Sequence, residues 1–113
     1  MEELFAAAAG ALRAGEALAL ATVVQTEGST PREAGAQMLI WASGRTLGTV
    51  GGGTLEAHVI QDSLSALQAG ESSLREYSLQ PGEAGALGVC GGRALVFIQA
   101  LLPPETVLIL GAG

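Results

Sequence analysis

Three stretches of the chain set glycine beside groups that bind or react. The first, Glu27-Gly-Ser-Thr-Pro-Arg-Glu-Ala-Gly-Ala36, carries hydroxyls at Ser29 and Thr30 and a forked guanidinium at Arg32, a donor suited to phosphate or carboxylate. Pro31 fixes one φ angle, while Gly28 and Gly35 permit conformations that other residues avoid. Such a segment is either an ordinary connection with a surface arginine or a binding loop. The second, Gly48-Thr-Val-Gly-Gly-Gly-Thr-Leu-Glu56, puts Gly51, Gly52 and Gly53 at the start of a helix. There the backbone can approach a ligand, and first-turn N–H groups offer partial positive charge to an anion. Thr54 serves as N-cap or ligand donor. Glu56 either accepts from the N–H groups of a guanidine-like heterocycle or simply complements the helix dipole. The third, Leu87-Gly-Val-Cys-Gly-Gly92, surrounds the single cysteine, Cys90, with glycines, Gly91 and Gly92 following it. A lone cysteine is often a small buried hydrophobe; among glycines its sulfur is accessible, and a thiolate there ligates a soft metal or carries a sulfur atom.

These loops need elements to hold them. Leu4, Phe5, Ala8, Ala9 and Leu12 recur at helical spacing and Gly15 follows, so residues 2–14 read as a helix. Residues 17–26 read as a buried strand, 37–42 and 46–50 as a hairpin turned at Ser43-Gly44-Arg45, and 93–101 as a strand. Leu55, Val59, Ile60, Ser63, Leu64 and Leu67 mark a second helix that Gly70 caps. Residues 74–79 form a short strand and Thr106–Leu110 another, ending in Gly111-Ala-Gly113. Trp41 and Met38 are assigned to the core, and His58 to the polar or intermediate face of the second helix. The fold class is α+β: one compact domain, a mixed sheet flanked by two main helices. Residues 1–102 form that domain. Residues 103–113 are a linker and the first strand of a truncated Rossmann-like unit, since an apolar strand running into Gly-x-Gly opens a dinucleotide fold. The third glycine and the helix that receives pyrophosphate are missing, so dinucleotide binding by this chain is not expected.

Composition narrows the function. Eleven acids face five bases, all arginine, in 113 residues, for a net charge of −6; a general phosphate-backbone binder is therefore not expected, and nucleic acid is excluded as a partner. Mean hydropathy is +0.43, yet no apolar run reaches the ~18 residues of a spanning helix. One cysteine excludes an internal disulfide and a multi-cysteine metal site. The acidic start, Met1-Glu-Glu-Leu-Phe, has no signal-peptide pattern, which makes the cytoplasm the default compartment. Gly-x-Ser-x-Gly, a protease-like cysteine–histidine spacing and a histidine pair for zinc are all lacking. Backbone donors, one arginine, one carboxylate and one thiol suit a phosphate-bearing heterocycle with a sulfur-seeking centre better than a hydrolytic substrate.

The segments Ala21-Thr-Val-Val, Gly28-Ser-Thr-Pro-Arg, Gly35-Ala, Gly48-Thr-Val-Gly-Gly-Gly-Thr-Leu-Glu56 and Cys90-Gly-Gly, in this order, resemble the N-terminal domain of the XdhC/CoxI family. These are accessory proteins of xanthine dehydrogenase and related molybdenum hydroxylases. The resemblance implies a non-enzymatic chaperone that binds the molybdenum cofactor (molybdopterin), supports its sulfuration with a cysteine desulfurase and delivers it to the apo-hydroxylase. It implies that Gly28, Ser29, Thr30, Pro31, Arg32, Gly51, Gly52, Gly53, Thr54, Glu56, Cys90, Gly91 and Gly92 line the cofactor site. Within it Arg32 and the triplet amides would take the phosphate, Glu56 the pterin edge, and Cys90 a place near molybdenum or sulfur. A homodimer is expected. Two other classes remain open: the leading domain of a nucleotide-dependent oxidoreductase, and a structural dimerisation module.

Overall fold

The computed structural model describes residues 2–28, 34–78 and 92–104. Two helices and five strands follow one another as α1 (Glu2–Arg13), β1 (Leu18–Glu27), β2 (Gln37–Trp41), β3 (Thr46–Gly48), α2 (Gly53–Ala69), β4 (Ser73–Ser78) and β5 (Arg93–Leu101). They make one sheet in the order β3-β2-β1-β5-β4. The chain is the α+β domain expected, with a helix on each face. All four strand pairings are antiparallel, where a mixed sheet was expected. The reason lies in the order of the strands. Each of β2, β3 and β5 returns beside the strand that precedes it in the chain, and α2 carries the chain from one end of the sheet to the other before β4 begins.

Period-two alternation divides the strands between two cores. Ala19, Ala21 and Val23 of β1 join Met38, Ile40, Val96 and Ile98 under Leu55, Val59 and Ala66 of α2. The intervening Leu18 packs with Leu39 and Trp41 against Ala8 and Ala11 of α1. Met38 and Trp41 are therefore core residues, as assigned. The alanines let both helices approach the sheet closely. Trp41 has its Nε1–H donating to Glu16 Oε1 at 3.2 Å and the Arg45 guanidinium 4.3 Å over its ring.

The α1 core lies over β1 and β2, and among the described residues no helix covers the β5–β4 half of that face. There Phe97 and Leu74, cross-strand neighbours, are 37% and 59% exposed. Among the described residues no helix is long and apolar enough to cross a membrane. The expected strand Thr106–Leu110 and the Gly111–Gly113 turn lie outside the described residues.

Candidate functional site

Strand register places the three glycine-rich connections. Glu27, at the end of β1, pairs with Arg93 at the start of β5, and Arg93 pairs with Ser78 at the end of β4. Gln37, opening β2, faces Thr22, and Met38 faces Gly48 at the end of β3. The connections β1–β2, β3–α2 and β4–β5 therefore all leave from one end of the sheet. Gly28, Gly35, Gly48 and Gly92 stand at their roots. Ser29, Thr30, Pro31, Arg32, Cys90 and Gly91 lie outside the described residues.

The middle connection is described throughout. Gly51, Gly52 and Gly53 have φ of 128°, 77° and 63°, a left-handed run that side chains with a Cβ would strain. The helix begins at Gly53 with Gly52 as N-cap and no side-chain cap on it, so Thr54 is a first-turn residue and not the N-cap. Glu56, from inside the first turn, ties down the turn that leads into the helix. Its Oε1 accepts from the Thr49 hydroxyl, from Val50 N–H at 3.3 Å and from Gly52 N–H at 3.0 Å. Thr49 Oγ1 in turn accepts from Gly51 N–H at 3.0 Å. This turn explains why β3 stops at Gly48 instead of running to Val50. The Gly51 and Gly52 amides are thus satisfied within the loop. The next N–H groups, of Gly53, Thr54 and Leu55, belong to the first turn, where a helix supplies no acceptor of its own.

Two further groups beside this end were not visible in the sequence. Arg93 reaches Glu76 Oε2 at 2.5 Å and Glu27 Oε1 at 3.8 Å, all three half-exposed. Its charge is shared with two carboxylates, and solvent weakens both pairs. On the α2 side the Tyr77 hydroxyl donates to Asp62 Oδ2 at 2.6 Å, and the His58 ring stacks on Tyr77 with centroids 6.3 Å apart. Only cross-strand and helix–sheet neighbours reveal such partners.

Burial, then the Asp62 hydrogen bond, pushes the Tyr77 phenol above its ordinary pKa of 10.0. The folded value exceeds the unfolded one, so this contribution is fully present below pH 10 and is lost as pH rises beyond it. Urea midpoints should show stability falling by about 1.4 kcal/mol per pH unit above ~10 from this group. Tyr77→Phe should remove that share of the slope; an unchanged slope would contradict the assignment.

Among the described residues no cluster of three histidine, cysteine, aspartate or glutamate side chains could hold a metal. A hollow of about 480 Å³ lies at the other end of the sheet, lined by Ala17, Ala42, Gln61, Leu64, Ser65 and Gln68. It has no charged group to attract an anion.

Known proteins fit this geometry. The model of the XdhC and CoxI family matches residues 11–78. The Escherichia coli (strain K12) protein named "Uncharacterized protein YqeB" is 42% identical over 96 residues, covering 84% of this chain and 18% of its own length. A Bacillus subtilis (strain 168) protein, named as a probable xanthine dehydrogenase subunit, is 50% identical over 52 residues, covering 46% of this chain and 16% of its own length. A crystal structure described as a xanthine dehydrogenase from Bacillus halodurans superposes with a TM-score of 0.70 at 27% identity, over 87% of this chain and 29% of that one. The chain thus spans less than a third of each of these relatives. With the matched segment running from α1 through β4 and including the whole β3–α2 glycine turn, the chain belongs to the XdhC and CoxI family.

Proposed function

We propose that this chain is an accessory domain, not an enzyme, that binds the molybdenum cofactor where the three glycine-rich connections meet. It supports sulfuration of the cofactor and its delivery to a xanthine dehydrogenase-type apo-hydroxylase in the cytoplasm. One observation carries the reading: antiparallel register brings the roots of all three connections to one end of the sheet. A phosphate fits the donor set there, because the first-turn amides of α2 follow a glycine run and a Cβ at Gly52 would meet nothing within 4 Å. Arg32 adds a guanidinium to that phosphate, with Ser29 and Thr30 offering hydroxyls beside it. Cys90 supplies a thiolate beside molybdenum or the sulfur it receives. The bound group itself contributes the metal centre and the sulfur-accepting position.

A cysteine desulfurase is the sulfur source and the apo-hydroxylase the recipient. Self-association as a homodimer is favoured by the uncovered Leu74 and Phe97. The test is retention. Purified chain mixed with molybdenum cofactor should carry it through gel filtration, and Cys90→Ser should lower the molybdenum retained by roughly tenfold, the loss of about 1.4 kcal/mol of binding. Equal retention by the variant refutes the role of Cys90; no retention by the unmodified chain refutes the reading as a whole.

A further inference from the structure

Glu56 stands in the first turn of α2, at the site proposed above for a phosphate, where its charge is of the wrong sign for direct contact with that group. Its described bonds run inward. A single oxygen, Oε1, takes the Thr49 hydroxyl, Val50 N–H at 3.3 Å and Gly52 N–H at 3.0 Å, and the Thr49 oxygen takes Gly51 N–H at 3.0 Å. These two side chains fix four consecutive residues, 49–52. Glycines lose more backbone freedom on ordering than any other residue, so a run of three needs restraint from outside itself, and Gly52 as N-cap has no side chain to provide it.

We propose that Thr49 and Glu56 are positioning residues: together they hold the glycine turn so that the N–H groups of Gly53, Thr54 and Leu55 face the ligand. Glu56 spends its carboxylate on the turn and not on the heterocycle. The inference rests on the cofactor-binding reading above and changes it in two ways. The amides of Gly51 and Gly52 drop out of the phosphate-binding set because Thr49 and Glu56 occupy them. Thr49, which carries no ligand contact, becomes a residue whose loss weakens binding, because a turn that is not preorganised must be ordered when the ligand arrives.

The experiment reads two quantities on the full chain and on Thr49→Val, Thr49→Ser and Glu56→Gln. Amide hydrogen exchange at Gly51 and Gly52 is followed by NMR without ligand, and retention of added molybdenum cofactor is followed by gel filtration. Thr49→Val should speed exchange at both amides by about tenfold or more and lower retention by about tenfold, at an unchanged fold by circular dichroism. Thr49→Ser, which restores the hydroxyl, should recover both. In every variant the two readouts should move together. Glu56→Gln that loses retention while exchange stays at the unmodified rate makes Glu56 a ligand contact and overturns the proposal. Thr49→Val with unchanged exchange, or with fast exchange and full retention, also overturns it. If the unmodified chain retains no cofactor, the functional reading fails, and the exchange measurements alone still decide whether Thr49 and Glu56 hold the turn.

Discussion

Gly48→Ala should cost about 3–5 kcal/mol and lower the melting temperature by roughly 12–20 °C, at about 4 °C per kcal/mol for a domain of this size. Gly48 ends β3 with φ of 86°, and a Cβ there would lie 2.7 Å from the Gln37 carbonyl oxygen, 3.2 Å from Met38 Cα and 3.4 Å from Leu4 Cδ2. The left-handed backbone alone costs an alanine about 1–2 kcal/mol. The rest comes from the carbonyl, which belongs to the paired strand β2 and cannot move without breaking register with β3. Gly52→Ala is the control. Its φ is 77° and its ψ −173°, a region open essentially to glycine alone, but the added Cβ has open space around it, so it should cost only a backbone share of about 1–3 kcal/mol. Thermal and urea unfolding of the two variants decide the matter; equal losses would mean that strain, not the close approach of β2 and β3, makes Gly48 necessary.

The segments were largely legible in the sequence because the signals that define them are local. The spacing of Leu4, Ala8 and Leu12 locates α1 within one residue of its end at Arg13, and Gly70 caps α2 with φ of 70°, its N–H reaching Ala66 and Leu67 carbonyls. Alternation in Leu18–Val23 shows that two faces are buried but not which strands lie beside β1. That β2 runs antiparallel to β1 follows from its direct return beside it, but that β5 does so too follows from the path of α2 along the sheet, a tertiary property with no local mark. β3 ends early for a similar reason: Thr49 and Val50 have strand-forming side chains, but Glu56, six and seven residues further on, draws their polar groups into a turn.

The candidate site divides along the same line. Glycines at 51–53 announce themselves by type, because few structures need three in succession. The partner of Glu56 does not, since a carboxylate in the first turn of a helix reads equally as dipole complement, ligand acceptor or cap. The Arg93–Glu27–Glu76 group and the Tyr77–Asp62 pair join residues 15 to 66 positions apart, and only the register of β1, β5 and β4 or the seat of α2 on β4 makes them neighbours. Thr54 was the natural N-cap by residue type. It lost that place because the glycine turn delivers the chain into the helix one residue earlier, with Gly52 as the boundary.

The second large effect lies in the core that seats α2. Met38, Ala21 and Ile98 are register partners across β2, β1 and β5, and all three are fully buried under α2. The inner side of that helix is small in places, with Ser63 and Ala66 beside Val59, and the neighbouring strand positions Ala19, Ala21 and Ala94 are smaller still. A few large side chains therefore fill the space, and none of the alanines can expand into a gap. Ile98→Ala should leave most of its volume empty and cost about 3–5 kcal/mol, whereas Ile98→Val should cost about 1 kcal/mol. Urea unfolding should show the midpoint falling with little change in slope. A loss below about 1.5 kcal/mol for the alanine variant would mean that α2 settles onto the sheet to close the gap. The same variant separates global from local loosening at the glycine turn. Exchange at Gly51 and Gly52 in Ile98→Ala should rise only as far as whole-domain opening becomes more frequent, together with the amides of β1. Thr49→Val should release those two amides while β1 stays protected. If both variants exposed the turn and β1 alike, the turn would be held by the core, and the bonds from Thr49 and Glu56 would be its consequence.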